Sequence, residues 1–394
     1  MPKSKTVRLF LRKAVLVFLS LTLILTPAFP SYAEAPIKET PSYILIEAQT
    51  GQVIAESNAN ERLAPASVTK VMTLLLIFDF IEKGRVKLEH EIITSAYAKS
   101  MGGSQVFLEE GEIQTLETLI KCIAVASGND ASVAVAEHIA GSEAEFVKLM
   151  NERARELGMR DTNFTDCSGL TDDDEHYMSA KDIATLSREL VTKYPEVLEY
   201  TQIWMEDIVH NTAQGSSVFT LSSTNKLLRM YEWTTGLKTG STSKAKFCLS
   251  ATASRDGIDL IAVIMAAPSG KTRFEEAMAL LNYGYTVSQL FEDKNEDILP
   301  ELPISGSVLD YVAIEYQGPF KYLDIKGSDL AQIEKVINLP EKLTAPVNKG
   351  DAIGEAVYRL NGERVGSVSI FSAMTVEKAG YFDYLHKAFK LLLV

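Results

Sequence analysis

The sequence predicts an α+β fold: a catalytic-sized domain built as an antiparallel sheet with helices on its faces, followed by a small all-β domain. Three observations carry this. Strand-like alternation appears before Glu56 and again after Trp233, with helical segments between. The composition turns acidic and proline-containing around Glu292 to Pro303, as a linker does. Short strand patterns with Gly and Asn turns follow it. With 394 residues, 46 % hydrophobic and 23 % charged, the chain is long and apolar enough for two or three packed domains.

The N-terminus reads as an address rather than as fold. Lys3, Lys5, Arg8, Arg12 and Lys13 precede the apolar run Ala14 to Leu25, and Ser31-Tyr32-Ala33 supplies a small-residue exit. That order marks residues 1–33 as a secretory signal, and the run is too short to span a bilayer comfortably. An exported, extracytoplasmic protein is expected. The formal charge is −13; residues 1–33 carry five positive and no negative side chains, so the remainder carries −18.

The elements then follow in order. Tyr43 to Glu56 reads as a β-hairpin turning at Thr50-Gly51-Gln52. Val71 to Ile81 is apolar nearly all round, a helix buried in a core, with Gly84 as its C-cap. Thr115 to Ala126, Ala131 to Ile139 and Phe146 to Leu157 read as helices, the last two closed by Gly141 and Gly158. Leu237 to Thr239, Phe247 to Ala253 and Ile258 to Ala267 read as strands, with Arg255-Asp256-Gly257 as a hairpin turn, and Phe274 to Leu290 as a helix. Domain limits of 34–292 and 293–375 result, with strands at Ser307 to Tyr316, Ala352 to Leu360 and Arg364 to Ser372 in the second. In residues 376–394, Asp383, His386, Lys387 and Lys390 recur at helical spacing among Tyr381, Phe382, Tyr384, Leu385 and Phe389. This segment reads equally as an amphipathic anchor on a membrane surface or as a helix packed on the β domain.

Composition removes several function classes. The negative charge argues against a nucleic-acid binder, which needs clustered cations for phosphates. Three Cys and five His show no zinc-type spacing, so no metal and no cofactor is expected. Cys122 and Cys248 lie in apolar runs and read as small core residues. Cys167, beside Asp166 and Ser168, is the one candidate thiol, with His176 as its only conceivable base.

Three short motifs point instead to serine chemistry. Ser67-Val68-Thr69-Lys70 is an S-x-x-K heading the buried helix. A serine hydroxyl needs a base, and a lysine three residues on shares its helix face. Burial or a second cation makes that lysine a base by disfavouring its ammonium form. The same spacing recurs at Ser223 to Lys226, Ser241 to Lys244 and Ser243 to Lys246, but there in polar stretches. Ser127-Gly128-Asn129 is an S-x-N joining two helices, a pattern repeated by Ser223-Thr224-Asn225. Lys238-Thr239-Gly240-Ser241 is the one K-T-G in the chain and lies on a strand. Taken singly each has an ordinary reading as a cap or a turn; their order, separation and context agree only as a set.

The set resembles the S-x-x-K, S-x-N and K-T-G motifs of penicillin-binding proteins and serine β-lactamases. With Ala64-Pro65-Ala66-Ser67, Gly103-Ser104, Leu157-Gly158-Met159, Ser168-Gly169-Leu170 and Gly236-Leu237 beside it, the chain is most similar to the low-molecular-weight, serine-type D-alanyl-D-alanine carboxypeptidases. The resemblance implies a β-lactamase/transpeptidase-like catalytic domain acting on peptidoglycan stem peptides that end in D-Ala-D-Ala, with β-lactams as covalent inhibitors. It implies Ser67 as nucleophile, Lys70 as base kept neutral with help from Lys238, and Ser127, oriented by Asn129, as proton relay. Lys238 and Thr239 would take the substrate carboxylate, Gly240 would allow its close approach, and the N–H groups of Ser67 and Ser241 would hold the oxyanion. Asp259 falls where some relatives carry an arginine, leaving a second carboxylate contact unassigned. A DD-endopeptidase or a β-lactamase would use the same site, the latter with Glu175 as the one acid available. A non-catalytic cell-wall binding protein would not need the intact set.

Overall fold

The computed structural model describes residues 35–392 apart from residue 214, so the signal reading of residues 1–33 lies outside the described residues. Every residue of β1 (Ser42–Glu47) is buried, as a strand covered on both faces requires, and a turn returns it antiparallel into β2 (Val53–Ser57). A 3-10 turn over Ala66–Thr69 leads into α1 (Lys70–Glu82), in which residues 70–79 are all buried. Gly84 follows at φ +65°, the left-handed turn that ends it. The short strands β3 (Glu91–Ile93) and β4 (Ile113–Thr115) pair around α2 (Ala96–Lys99) and a loop. Thr115 caps α3 (Leu116–Ala124) by accepting the Thr118 N–H. Then come α4 (Asn129–Ala140), ended by left-handed Gly141, and α5 (Glu143–Glu156), capped by Ser142.

The next stretch was not anticipated from sequence. It holds α6 (Ala180–Lys193), α7 (Val197–Thr201) and a long hairpin of β5 (Met205–Thr212) and β6 (Gly215–Ser222). The first was legible: Ser179 caps it on the Asp182 N–H, and Ile183, Leu186 and Leu190 are buried at helical spacing. The hairpin was not, because most of its residues face solvent and leave no apolar alternation. After α8 (Leu227–Met230), the strands β7 (Thr234–Thr242), β8 (Lys246–Arg255) and β9 (Ile258–Ala267) precede α9 (Gly270–Val287).

Five of these strands form one antiparallel sheet in the order β2-β1-β9-β8-β7. Alternate residues feed two cores. Ile44, Ile46, Ile261 and Val263 join Leu74, Leu119, Val133 and Leu186 from the helices on one face. Tyr43, Leu45, Leu260 and Ile264 join Phe274, Leu280 and Leu281 of α9 on the other. The result is a helix–sheet–helix sandwich that leaves β7 at the sheet edge, beside the 3-10 turn.

The C-terminal part is all β until its last helix: β10 (Gln289–Asp293), β11 (Leu302–Ser305), β12 (Tyr311–Val312), β13 (Ile314–Tyr316), β14 (Phe320–Asp324), β15 (Ile333–Asn338), β16 (Leu343–Thr344), β17 (Ala352–Leu360) and β18 (Glu363–Ser372), then α10 (Tyr381–Leu392). A separate core of Val312, Ile314, Phe320, Tyr358 and Ile370 holds it together. The stretch read as a free linker is partly docked. β10 pairs with β14, and the Tyr358 hydroxyl lies 2.8 Å from Asp293 Oδ2 and 2.6 Å from Asn295 Oδ1. Acidic composition carries no record of these tertiary partners.

The start of the described chain is tied to α9. Glu276 accepts the backbone N–H groups of Lys38, Glu39 and Thr40 at 2.8, 2.8 and 3.0 Å. A carboxylate receiving three amides is a strong local clamp, since hydrogen bonds to a charged group are worth about 1.5–3 kcal/mol each. Glu276→Gln keeps one acceptor oxygen and should destabilise the protein by about 2 kcal/mol. Chemical denaturation of the two proteins checks this.

Candidate active site

Three elements converge at the edge of the sheet. The 3-10 turn carries Ser67, the loop before α4 carries Ser127 with Asn129 opening the helix, and β7 carries Lys238 to Ser241. Two backbone features set this up. Ala66 and Ser127 both adopt left-handed conformations, φ +48° and +62°, which cost non-glycine residues about 1 kcal/mol or more and concentrate where a side chain must be aimed. Gly169 and Gly240 permit the convergence. A Cβ on Gly169, itself at φ +76°, would overlap the Ala66 carbonyl oxygen, and one on Gly240 would stand 3.0 Å from the Ser67 nitrogen.

Lys70 lies beneath Ser67 and is 0 % exposed. Its Nζ is 2.6 Å from Asn129 Oδ1, 2.7 Å from the Ser168 carbonyl and 3.1 Å from Ser67 Oγ. The Asn129 amide is itself fixed, since its Nδ2 donates to the Gly102 carbonyl at 2.7 Å. The first two partners only accept, so they take two N–H bonds. A neutral amine has two N–H bonds and one lone pair, and the remaining direction is Ser67 Oγ. Burial, opposed by the Asp166 and Asp130 carboxylates, pushes the Lys70 ammonium down to about 8. The amine is therefore accessible near neutral pH and is aimed at Ser67 Oγ.

Lys238 is 1 % exposed; its Nζ donates to Ser127 Oγ at 2.9 Å and to the Thr239 carbonyl at 3.0 Å. Burial first, then Lys70 and Arg273, push its ammonium well below the usual value. One expectation changes here: Lys238, rather than Asn129, orients Ser127, while Asn129 holds Lys70. Burial is the leading cause of the Lys70 shift. The Thr239 hydroxyl is 2.7 Å from that of Thr224, and Ser241 is exposed at the mouth.

The structure adds a residue that the motifs did not reveal. Arg273, near the start of α9, lies behind β7 and donates through Nη1 to the carbonyls of Gly240 and Cys248 at 3.1 and 3.2 Å. Its guanidinium packs over Phe274, and burial brings it down to about 10, still charged near neutrality. No sequence signal marks it, because helix and strand meet only through the fold. Asp259 belongs elsewhere: it pairs with Ser254 next to the β8–β9 turn and lines a cavity of about 280 Å³ with Thr235 and Thr252.

The remaining candidates separate from the site's chemistry. Cys122, Cys167 and Cys248 are free and buried, and burial raises the Cys167 thiol well above its usual value, the reverse of a reactive thiolate. His176 is held by Thr69 and Thr165. Glu175 is exposed in a loop, where its carbonyl accepts from Asn163. Among the described residues no group of three His, Cys, Asp or Glu side chains is placed to hold a metal.

A serine beside a buried lysine whose ammonium form is disfavoured, with a second hydroxyl and a cationic strand edge opposite, defines an active-site serine acyltransferase or hydrolase. The chain belongs to the D-alanyl-D-alanine carboxypeptidase family, Peptidase S11, which it matches over residues 30–269; residues 296–378 match the C-terminal domain of penicillin-binding protein 5. It is 38 % identical to the D-alanyl-D-alanine carboxypeptidase DacF of Bacillus subtilis, over 89 % of each chain. It is 30 % identical to DacC of Escherichia coli, over 89 % of this chain and 87 % of that one. Penicillin-binding protein 5 of Haemophilus influenzae superposes with a TM-score of 0.71 at 27 % identity, covering 88 % of this chain and all of that one.

The Lys70 shift has a testable sign. The base is the deprotonated form, so its population grows as pH rises through about 8. Acylation of Ser67 by a penicillin should speed up about tenfold per pH unit below that value and level off above it. A rate flat between pH 6 and 8, read from adduct formation by mass spectrometry, would remove Lys70 as the base.

Proposed function

We propose that this protein is an exported serine-type D-Ala-D-Ala carboxypeptidase that removes the terminal D-alanine from peptidoglycan pentapeptide stems through an acyl-enzyme. The observation that carries this reading is the Lys70 amine, held by Asn129 and Ser168 with its third direction on Ser67 Oγ. Ser67 attacks the carbonyl of the penultimate D-alanine, and its proton passes to Lys70. The oxyanion that forms takes hydrogen bonds from the backbone N–H groups of Ser67 and Ser241, worth about 3 kcal/mol per donor in serine hydrolases. β7 suits that role because it is an edge strand, with one row of backbone groups not used by a neighbour in the sheet.

As the C–N bond breaks, the departing D-alanine nitrogen needs a proton. Ser127, bonded to Lys238, stands opposite Lys70 to relay one. The terminal carboxylate is received by Lys238 and the Thr239 hydroxyl, with the Arg273 charge behind Gly240 adding to the field. Water then cleaves the Ser67 ester with Lys70 activating it. A β-lactam enters by the same attack, but its opened ring stays attached and blocks that water.

D-alanine release from a pentapeptide stem should be abolished by Ser67→Ala and fall by at least about a thousandfold in Lys70→Ala. A cross-linked peptide dimer incubated in parallel separates endopeptidase from carboxypeptidase action. Rapid turnover of penicillin in place of a long-lived adduct would make the enzyme a β-lactamase instead.

We place the enzyme outside the cytoplasmic membrane, held to its outer surface by the tail. The basic, apolar, small-residue order of residues 1–33 supports export. The support for anchoring is α10, which exposes Tyr381 at 76 %, Phe382 at 80 % and Phe389 at 57 %. The Lys387 and Lys390 side chains lie outside the described ones. No helix among the described residues is long and apolar enough to cross a membrane, so a surface-lying helix is the geometry this reading uses. Truncation after Thr375 should abolish binding to phospholipid vesicles in a flotation assay and leave D-alanine release intact; undiminished binding would sink the anchor.

A further inference from the structure

Ser223-Thr224-Asn225 repeats the S-x-N pattern, yet nothing in the mechanism above uses it. Its side chains do not form a second nucleophile site. The Asn225 N–H donates to Ser223 Oγ and Asn225 Oδ1 accepts the Leu227 N–H, both at 3.2 Å, so the segment is a self-bonded turn closing β6. Lys226 is exposed.

What the turn does is bridge the two other motifs. The Thr224 N–H donates to the carbonyl of Val125, two residues before Ser127. Asn225 Nδ2 donates to the carbonyl of Gly236, two residues before Lys238. Between these anchors the half-buried Thr224 hydroxyl meets that of Thr239 at 2.7 Å. One turn therefore ties the S-x-N loop to the K-T-G strand and touches the side chain assigned to the substrate carboxylate.

We propose that Thr224 is a positioning residue that sets the direction of the Thr239 hydroxyl; this rests on the carboxypeptidase reading, in which Thr239 receives the terminal carboxylate. A hydroxyl has one proton and two lone pairs. A carboxylate only accepts, so on substrate binding the Thr239 proton turns to the substrate. Its oxygen then takes the Thr224 proton, giving a chain from Thr224 through Thr239 to the carboxylate in which each bond polarises the next. Thr224 contributes where the substrate carries that charge and not otherwise.

The test compares two N-acyl-D-alanyl thioesters with the full-length chain. One has a mercaptoacetate leaving group, which presents a carboxylate, and the other its neutral methyl ester; thiol release is the readout. Thr224→Val should lose about tenfold in kcat/KM on the carboxylate thioester, chiefly through KM, and stay within about twofold on the neutral one. Thr224→Ser, which keeps the hydroxyl, should track the wild type on both. Equal loss on both thioesters, or no loss on either, overturns the proposal while leaving the enzyme a carboxypeptidase. A wild type no faster than Ser67→Ala on either thioester removes the proposed function, and this inference with it.

Discussion

The site depends on one arrangement: a lysine amine placed out of reach of water, with two of its three hydrogen-bonding directions already used. In solution a lysine is almost wholly protonated near neutrality and has no lone pair to offer. Here burial disfavours the charge, and the Asn129 and Ser168 oxygens leave Ser67 as the remaining direction. Each partner needs its own support. Asn129 is held by Gly102, and the loop that carries Ser168 is folded around Asp166, whose carboxylate accepts the N–H groups of Ser168, Gly169 and Thr171. Asp130 secures the opposite loop by accepting from Val106 and Leu108.

That arrangement brings three basic side chains together. Lys70, Lys238 and Arg273 share a small volume at the sheet edge, and each loses solvation there. Such a cluster is unfavourable in an empty site and favourable around an anion. In the proposed reading, a substrate with a terminal carboxylate supplies the missing charge on the K-T-G side. Each hydroxyl has its own lysine, Ser67 with Lys70 and Ser127 with Lys238, which suits a reaction that takes a proton from Ser67 and returns one to the leaving nitrogen.

Much of this was legible in the chain. The apolar run after Lys70 announced a buried helix, and a buried helix next to a serine and a lysine implies a desolvated base. Gly84 and Gly141 marked helix ends, and the Arg255-Asp256-Gly257 turn marked a hairpin, because these rest on local backbone preferences. The hairpin of β5 and β6 was not legible, since its strands are exposed and its role is to deliver Thr224 to a partner in another element. Arg273 carries no motif because α9 and β7 meet only through the fold, and Asp259, which falls where some relatives carry an arginine, lies beside the β8–β9 turn.

The sequence by itself determined the elements that carry the three motifs, the order of those motifs and the apolar environment of Lys70. These follow from periodicity and composition along a single stretch of chain. The tertiary structure alone decided who holds whom: Asn129 on Lys70, Lys238 on Ser127, Arg273 behind Gly240 and Thr224 on Thr239. Those pairings join residues far apart in the chain at hydrogen-bond range, and a contact of that kind depends on how helices and strands pack, which no local pattern encodes.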